Sequence, residues 1–70
     1  MLLESVGQTI KERRKQLHIT QPTLAELAEV SKNTIYKLER GLANPSIKVL
    51  HQILEVLGME LAIQVKTVEP

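Results

Sequence analysis

The stretch Ile19-Thr-Gln-Pro-Thr-Leu-Ala-Glu-Leu-Ala-Glu-Val-Ser-Lys-Asn-Thr-Ile-Tyr-Lys-Leu-Glu-Arg-Gly41 decides the fold of this sequence. Thr20 and Ser31 are candidate N-caps, because their hydroxyls can accept a hydrogen bond from the first turn of a helix. They predict two short helices, one from about Gln21 to Glu29 and one from Lys32 to Arg40. A turn of only two or three residues between them is typical of the helix-turn-helix arrangement, in which one helix braces the DNA backbone and the next enters the major groove.

The flanking segments predict two more helices. Apolar residues at helical spacing indicate a first helix from about Ser5 to His18 and a fourth from about Ser46 to Leu57, with Gly58 as its stop. The apolar positions expected to face the core are Val6, Ile10, Leu17, Leu24, Leu27, Ala28, Ile35, Leu38, Ile47, Leu50, Ile53, Leu54 and Leu57. The fold class is therefore all-α.

From Met59 to Lys66 the periodicity changes to two, with Leu61, Ile63 and Val65 on the apolar face, which is typical of a β-strand. A lone strand leaves its backbone groups unpaired, and no other segment resembles a strand. We therefore expect it to pair with the same strand of a second copy, giving a homodimer in which these three residues are buried. The alternative is that the tail packs as extended chain on its own helices.

Composition narrows the function classes. The chain has 70 residues, 43% apolar and 24% charged, which leaves room for one folded domain. There is no Cys and there are only two His, so thiolate metal sites and disulfides are excluded and a zinc site is disfavoured. A single Tyr without Phe or Trp argues against stacking modules for single-stranded nucleic acid. No catalytic motif or membrane span occurs, so we expect a cytoplasmic protein that is not an enzyme and needs no cofactor.

The outward face of the third predicted helix is the best candidate for binding DNA. Lys32, Asn33, Tyr36 and Lys37 point away from the apolar pair of that helix, and Asn and Lys can reach purine edges. The alternative interpretation is an ordinary solvated polar face.

Residues 5–58 resemble the lambda-repressor-like, Xre-type helix-turn-helix domains. The motifs that carry the resemblance are Ile19-Thr-Gln21, Leu24-Ala25, Val30-Ser31, Thr34-Ile35, Leu38-Glu-Arg-Gly41 and Asn44-Pro-Ser46. It implies a four- to five-helix DNA-binding domain that recognises a palindromic operator as a dimer. This chain departs from the pattern at Pro22 and Thr23, where an acidic pair is more usual, and at Glu29, where Gly is common.

The resemblance also implies roles for individual residues. It places Lys32, Asn33, Tyr36 and Lys37 on the base-reading face, and Gln21, Ser31, Thr34 and Asn44 at DNA phosphates. It further pairs Arg14 with Glu39; the alternative is that both charges are solvated.

The segment Leu57-Gly-Met-Glu-Leu-Ala-Ile-Gln-Val-Lys66 is similar to the tail of HipB-like antitoxins, whose C-terminal strand pairs across the dimer axis. This similarity implies a helix-turn-helix domain over residues 1–58 and a dimerisation strand and tail over residues 59–70. It also implies a repressor of its own operon, partnered by a HipA-like kinase toxin. A stand-alone Xre-type repressor, and a protein-interaction adaptor that keeps the fold without binding DNA, are the alternatives.

Overall fold

The computed structural model describes residues 2–63, and in that part of the chain it shows four α-helices and no strand. The helices are α1 (Leu2–Gln16), α2 (Gln21–Ala28), α3 (Lys32–Glu39) and α4 (Ile47–Val56). The predicted all-helical fold is confirmed. Only α1 differs from its predicted bounds by more than one residue at either end: it begins earlier, at Leu2, and ends earlier, at Gln16.

Hydroxyl side chains begin three of these helices. Each accepts a hydrogen bond from the backbone N–H three residues later: Thr20 from Thr23 at 3.2 Å, Ser31 from Thr34 at 3.0 Å and Ser46 from Val49 at 3.1 Å. Each capping residue has extended backbone angles, as an N-cap requires. Local sequence therefore fixes where α2, α3 and α4 start.

The core is aliphatic, and α3 packs on both α1 and α2. Its buried residues are Ile10, Leu24, Ala25, Ala28, Ile35, Leu38, Ile53, Leu54 and Leu57. Three positions predicted to face inward are exposed instead, namely Leu17, Leu27 and Ile47. Leu27 lies off the stripe formed by the buried residues of α2, while Leu17 follows the last residue of α1 and Ile47 is the first of α4, so each lies at a helix end.

A glycine sets the distance between α1 and α3. A Cβ atom added at Gly7 would overlap the carbonyl oxygen of Leu38, so only the absence of a side chain lets the two helices approach this closely. Gly41 ends α3 with a φ of +73°, and a Cβ there would lie 2.8 Å from Cγ of Glu4. The N-terminal half of α1 therefore lies directly against α3 and the residues that end it.

Two side chains satisfy backbone carbonyls at helix ends. Nε of Arg13 donates to the carbonyl oxygen of Leu57 at 2.9 Å, just after α4. Nε2 of Gln52 donates to the carbonyl oxygen of Ala28 at 3.0 Å, at the end of α2. Such carbonyls have no partner within their own helix, so these bonds connect α1 to α4 and α4 to α2.

Beyond α4 the chain turns at Gly58, whose φ is +68°. The N–H of Met59 donates to the carbonyl of Leu54 at 2.9 Å, and residues 59–63 show no strand in this single chain. The rest of the predicted strand, including Val65, lies outside the described residues. No helix within residues 2–63 is long and apolar enough to cross a membrane.

Candidate nucleic-acid interface

The turn between α2 and α3 is as tight as the sequence predicts. Glu29 ends α2 in the left-handed conformation, with φ 59° and ψ 41°, and its N–H donates to the carbonyl of Glu26 at 3.2 Å. The N–H of Val30 then donates to the carbonyl of Ala25 at 3.0 Å, and Ser31 already caps α3. The left-handed backbone explains why Gly is common at the position of Glu29.

The outer face of α3 is basic and polar. Lys32, Asn33, Tyr36 and Lys37 are exposed, whereas Ile35 and Leu38 are fully buried. The structure thus presents all four predicted base-reading residues to solvent on one side of a helix that is braced by α1 and α2.

Five of the predicted DNA-binding residues surround one cleft. This cleft has a volume of about 480 Å³ and lies between α3 and the segment that leads into α4. Its predicted members are Ser31, Asn33, Thr34, Lys37 and Asn44. Val30, Ala43, Pro45 and Val49 complete the lining.

Gln21, predicted to bind a phosphate, does not line this cleft. Its Nε2 donates to Oε1 of Glu39 at 3.0 Å, which fixes the start of α2 to the end of α3. An amide nitrogen carries two hydrogens, so this contact leaves one of them for another acceptor.

Arg14 and Glu39 form a buried, two-pronged ion pair. Nε of Arg14 lies 2.7 Å from Oε2 of Glu39, and Nη2 lies 2.9 Å from Oε1. Their side chains are 10% and 2% exposed, respectively. Nη1 of Arg14 also donates to the carbonyl of Ile19 at 2.9 Å, so one guanidinium joins α1, the loop before α2 and the last residue of α3.

The pair shifts the titration of both groups. The hydrogen bond to Glu39 raises the pKa of the Arg14 guanidinium. Burial raises the pKa of the Glu39 carboxyl, but the hydrogen bonds from Arg14 and Gln21 and the charge of Arg14 outweigh burial, so the pKa lies below its ordinary value. The carboxylate is therefore ionised at neutral pH and fully engaged inside the protein.

This burial changes the charge that α3 presents to solvent. In sequence, Lys32, Lys37 and Arg40 are balanced in part by Glu39. In the structure Glu39 is turned inward to Arg14, so the exposed charges of α3 are positive only. A surface of this kind attracts a polyanion such as DNA.

Arg40 is an exposed cation beside this face of α3, and its contact with Tyr36 was not predicted from the sequence. Its guanidinium carbon lies 5.3 Å from the ring centroid of Tyr36, one turn earlier on the same helix face. The spacing of four residues between an aromatic and a cationic side chain was the available signal.

Comparisons with known proteins agree with this architecture. A helix-turn-helix family model matches residues 10–64. A relative from Methanothermobacter thermautotrophicus, named as an HTH-type transcriptional regulator, is 45% identical over 73% of this chain and 74% of its own length. A relative from Methanococcus vannielii, named as an HTH-type transcriptional regulatory protein, is 46% identical over 79% of this chain but only 17% of its own length.

A solved structure is also similar. The crystal structure of the clp gene regulator ClgR from Corynebacterium glutamicum matches with a TM-score of 0.80 and 30% sequence identity. The match covers 84% of this chain and 63% of that chain. This chain thus spans less than two thirds of ClgR and of the Methanococcus vannielii relative.

Proposed function

Because this chain belongs to the helix-turn-helix family, we propose that it is a sequence-specific DNA-binding regulator that represses transcription from a palindromic operator. The observation that carries the proposal is the exposed face of α3, whose charges are positive only and which adjoins a cleft lined in part by polar side chains. An α-helix with its side chains is about 10–12 Å in diameter, so α3 fits the major groove of B-DNA, which is about 12 Å wide.

Each part of this surface has a distinct role in the proposal. Lys32, Asn33 and Lys37 reach base edges in the major groove, where lysine recognises guanine and asparagine recognises adenine. Ser31, Thr34 and Asn44 hold a phosphate at the cleft beside α3.

Gln21 contributes from the start of α2. One hydrogen of its Nε2 is donated to Glu39, and the second hydrogen is donated to another phosphate. Phosphate contacts fix the register of the protein on DNA, and base contacts give specificity.

The DNA-binding proposal is tested by comparing alanine variants on a selected duplex and on duplexes with single base changes. Lys32→Ala, Asn33→Ala and Lys37→Ala are each expected to relax preference at particular base pairs by about 1–3 kcal/mol. Lys15→Ala removes an exposed charge from α1 and serves as the matched control, with no change in base preference expected. Uniform weakening on every duplex by all three variants would contradict base reading by α3.

We further propose a two-fold dimer held by the segment 59–70. Ile63 is 98% exposed in the single chain, and Leu61 borders an apolar groove of about 220 Å³ between α1, α4 and the residues after α4. Burial of these side chains against a second copy removes apolar surface from water and sets two recognition helices about one helical turn of DNA apart.

The dimer proposal predicts that one of two neighbouring substitutions breaks the dimer and the other does not. Ile63→Lys places a charge on the proposed seam and is expected to give a monomer in sedimentation at micromolar concentration. Ala62→Lys, the matched control on the other side of the alternating pattern, is expected to leave the dimer intact. Thermal unfolding of both variants checks the fold of the monomer, and a dimer that survives Ile63→Lys would refute the proposed seam.

A second candidate function is that of the antitoxin in a HipBA-like pair, with a HipA-like kinase toxin as partner. The observation that favours it is the alternating tail sequence, which includes the exposed Leu61 and Ile63. Co-expression with a neighbouring kinase-like reading frame is expected to yield a stable complex. If no complex forms and the chain still binds its operator, the protein is a stand-alone repressor. If the chain neither forms the complex nor binds DNA, a protein-interaction adaptor is favoured.

A further inference from the structure

The contact between Arg40 and Tyr36 is not explained by the roles given so far. Arg40 follows the last residue of α3 and is exposed, and its guanidinium carbon lies 5.3 Å from the centroid of the exposed Tyr36 ring. The family resemblance implies that Tyr36 reads a base, and its hydroxyl is the group that would do so. In the structure, the guanidinium of Arg40 lies over the face of the Tyr36 ring.

The guanidinium of Arg40 is not neutralised by the protein in the described part of the chain. The adjacent carboxylate, Glu39, is turned inward and accepts hydrogen bonds from Arg14 and Gln21. An aromatic ring attracts the cation through its electron-rich face, while the N–H groups at the edge of the guanidinium plane remain able to donate. Arg40 is therefore held in place with its charge and donors available to an anion.

The position of Arg40 on the helix indicates which part of DNA it meets. It follows the last residue of α3, about 12 Å along the helix axis from Lys32, and both side chains are exposed. When the N-terminal residues of a recognition helix contact base edges, its other end rises toward the sugar-phosphate backbone. A guanidinium matches the geometry of two phosphate oxygens and binds them with two hydrogen bonds.

We propose that Arg40 binds a DNA phosphate at the C-terminal end of α3, and that Tyr36 is a positioning residue whose ring holds the guanidinium for that contact. This inference rests on the proposed function, because it adds a contact to the same DNA-binding surface. It changes the expected role of Tyr36 from reading a base to orienting a neighbouring side chain. The ring is required for this role, and the hydroxyl is not.

The test is the salt dependence of binding to a selected palindromic duplex and to a shuffled duplex. Arg40→Ala is expected to weaken binding to both duplexes by about ten-fold per subunit, and to reduce the slope of log affinity against log salt by about 0.9 per subunit. Tyr36→Phe is expected to bind as the unchanged chain does, whereas Tyr36→Leu is expected to lose part of the affinity that Arg40→Ala loses. Lys15→Ala, on the exposed side of α1, is the control for removal of a distant positive charge.

A double variant separates positioning from an independent contact. If Tyr36 acts through Arg40, Tyr36→Leu adds no further loss once Arg40→Ala is present. Additive losses, or a change of preference at one base pair in Tyr36→Phe, would overturn the positioning role. If the unchanged chain binds DNA and Arg40→Ala binds equally well, this inference alone is wrong. If the unchanged chain binds neither duplex, the proposed function itself is wrong.

Discussion

Replacing Glu39 by glutamine is expected to cost about 3 kcal/mol of the free energy of unfolding at pH 7. The substitution keeps the size of the side chain but leaves the guanidinium of Arg14, only 10% exposed, without its counter-charge. Breaking a buried ion pair on one side costs about 3–5 kcal/mol, since the remaining charge stays in a poorly solvated site. A domain of this length has a total stability of roughly 4–10 kcal/mol, so the variant retains only part of it.

This loss is measured by urea unfolding monitored by circular dichroism at 222 nm. The chain offers a matched control. His51 and Glu55 form an exposed pair on α4, with Nε2 and Oε1 3.5 Å apart and side chains 65% and 66% exposed. Because solvent screens such a pair, Glu55→Gln is expected to change stability by less than about 0.5 kcal/mol. A loss from Glu39→Gln no larger than that of the control would refute the reasoning.

The same pair predicts a pH dependence with a definite sign. Burial raises the pKa of Glu39, but the hydrogen bonds from Arg14 and Gln21 and the charge of Arg14 lower it by more, so the pKa in the folded protein lies below its ordinary value of 4.5. The unfolded chain therefore binds the proton more tightly, so the stabilisation is complete above pH 4.5 and is lost as pH falls through the lower folded pKa. The difference in stability between the unchanged chain and Glu39→Gln is expected to shrink below pH 4.5. A difference that stays constant down to pH 2 would contradict this account.

Other substitutions test the packing and the turn. Gly7→Ala is expected to cost about 2 kcal/mol or more in urea unfolding, because the new methyl group overlaps the carbonyl of Leu38; an unchanged midpoint would show that α1 and α3 are not so close. Glu29→Gly is expected to stabilise the chain by about 0.5–1 kcal/mol, since glycine adopts the left-handed backbone without strain, and a lower melting temperature would contradict that geometry. Arg13→Ala is expected to lose about 1 kcal/mol because the carbonyl of Leu57 loses its donor; no change in denaturant titration would count against this contact.

The starts of the helices could be predicted from the sequence because the signals are local. Thr20, Ser31 and Ser46 each cap the helix that follows them, and the spacing from cap to first turn is visible in the sequence. The glycines after α3 and α4 adopt the left-handed conformation that ends a helix. Which side of α3 is exposed could also be predicted, because Ile35 and Leu38 mark its buried side.

Contacts between distant residues were harder to predict. Leu27 and Ile47 are apolar residues within predicted helices, yet which side of a short helix is covered depends on its neighbours in space. The bond from Gln21 to Glu39 joins residues 18 positions apart, and no spacing rule indicates it. The pairing of Arg14 with Glu39 was expected from family resemblance, whereas the residues alone left it open.

The tail remains a prediction for a physical reason. A strand is stabilised by hydrogen bonds to a neighbouring strand, and residues 59–63 form no strand in the single chain. The proposed partner is a second copy of the same segment, so its test lies in the oligomeric state. Leu61 and Ile63 are exposed in the single chain, so only a second copy is proposed to bury them, and the oligomeric state tests the seam directly.

The measurement that tests the central claim most directly is the affinity for a selected palindromic duplex against a shuffled duplex of the same composition, from 50 to 200 mM salt. If α3 reads bases while several side chains hold phosphates, the palindrome is expected to bind at least about 10³-fold more tightly at 150 mM salt. Affinity for both duplexes is expected to fall steeply with salt, by about 10³ across this range for six or more phosphate contacts. Equal affinity for the two duplexes at 150 mM salt would contradict sequence-specific recognition by this chain.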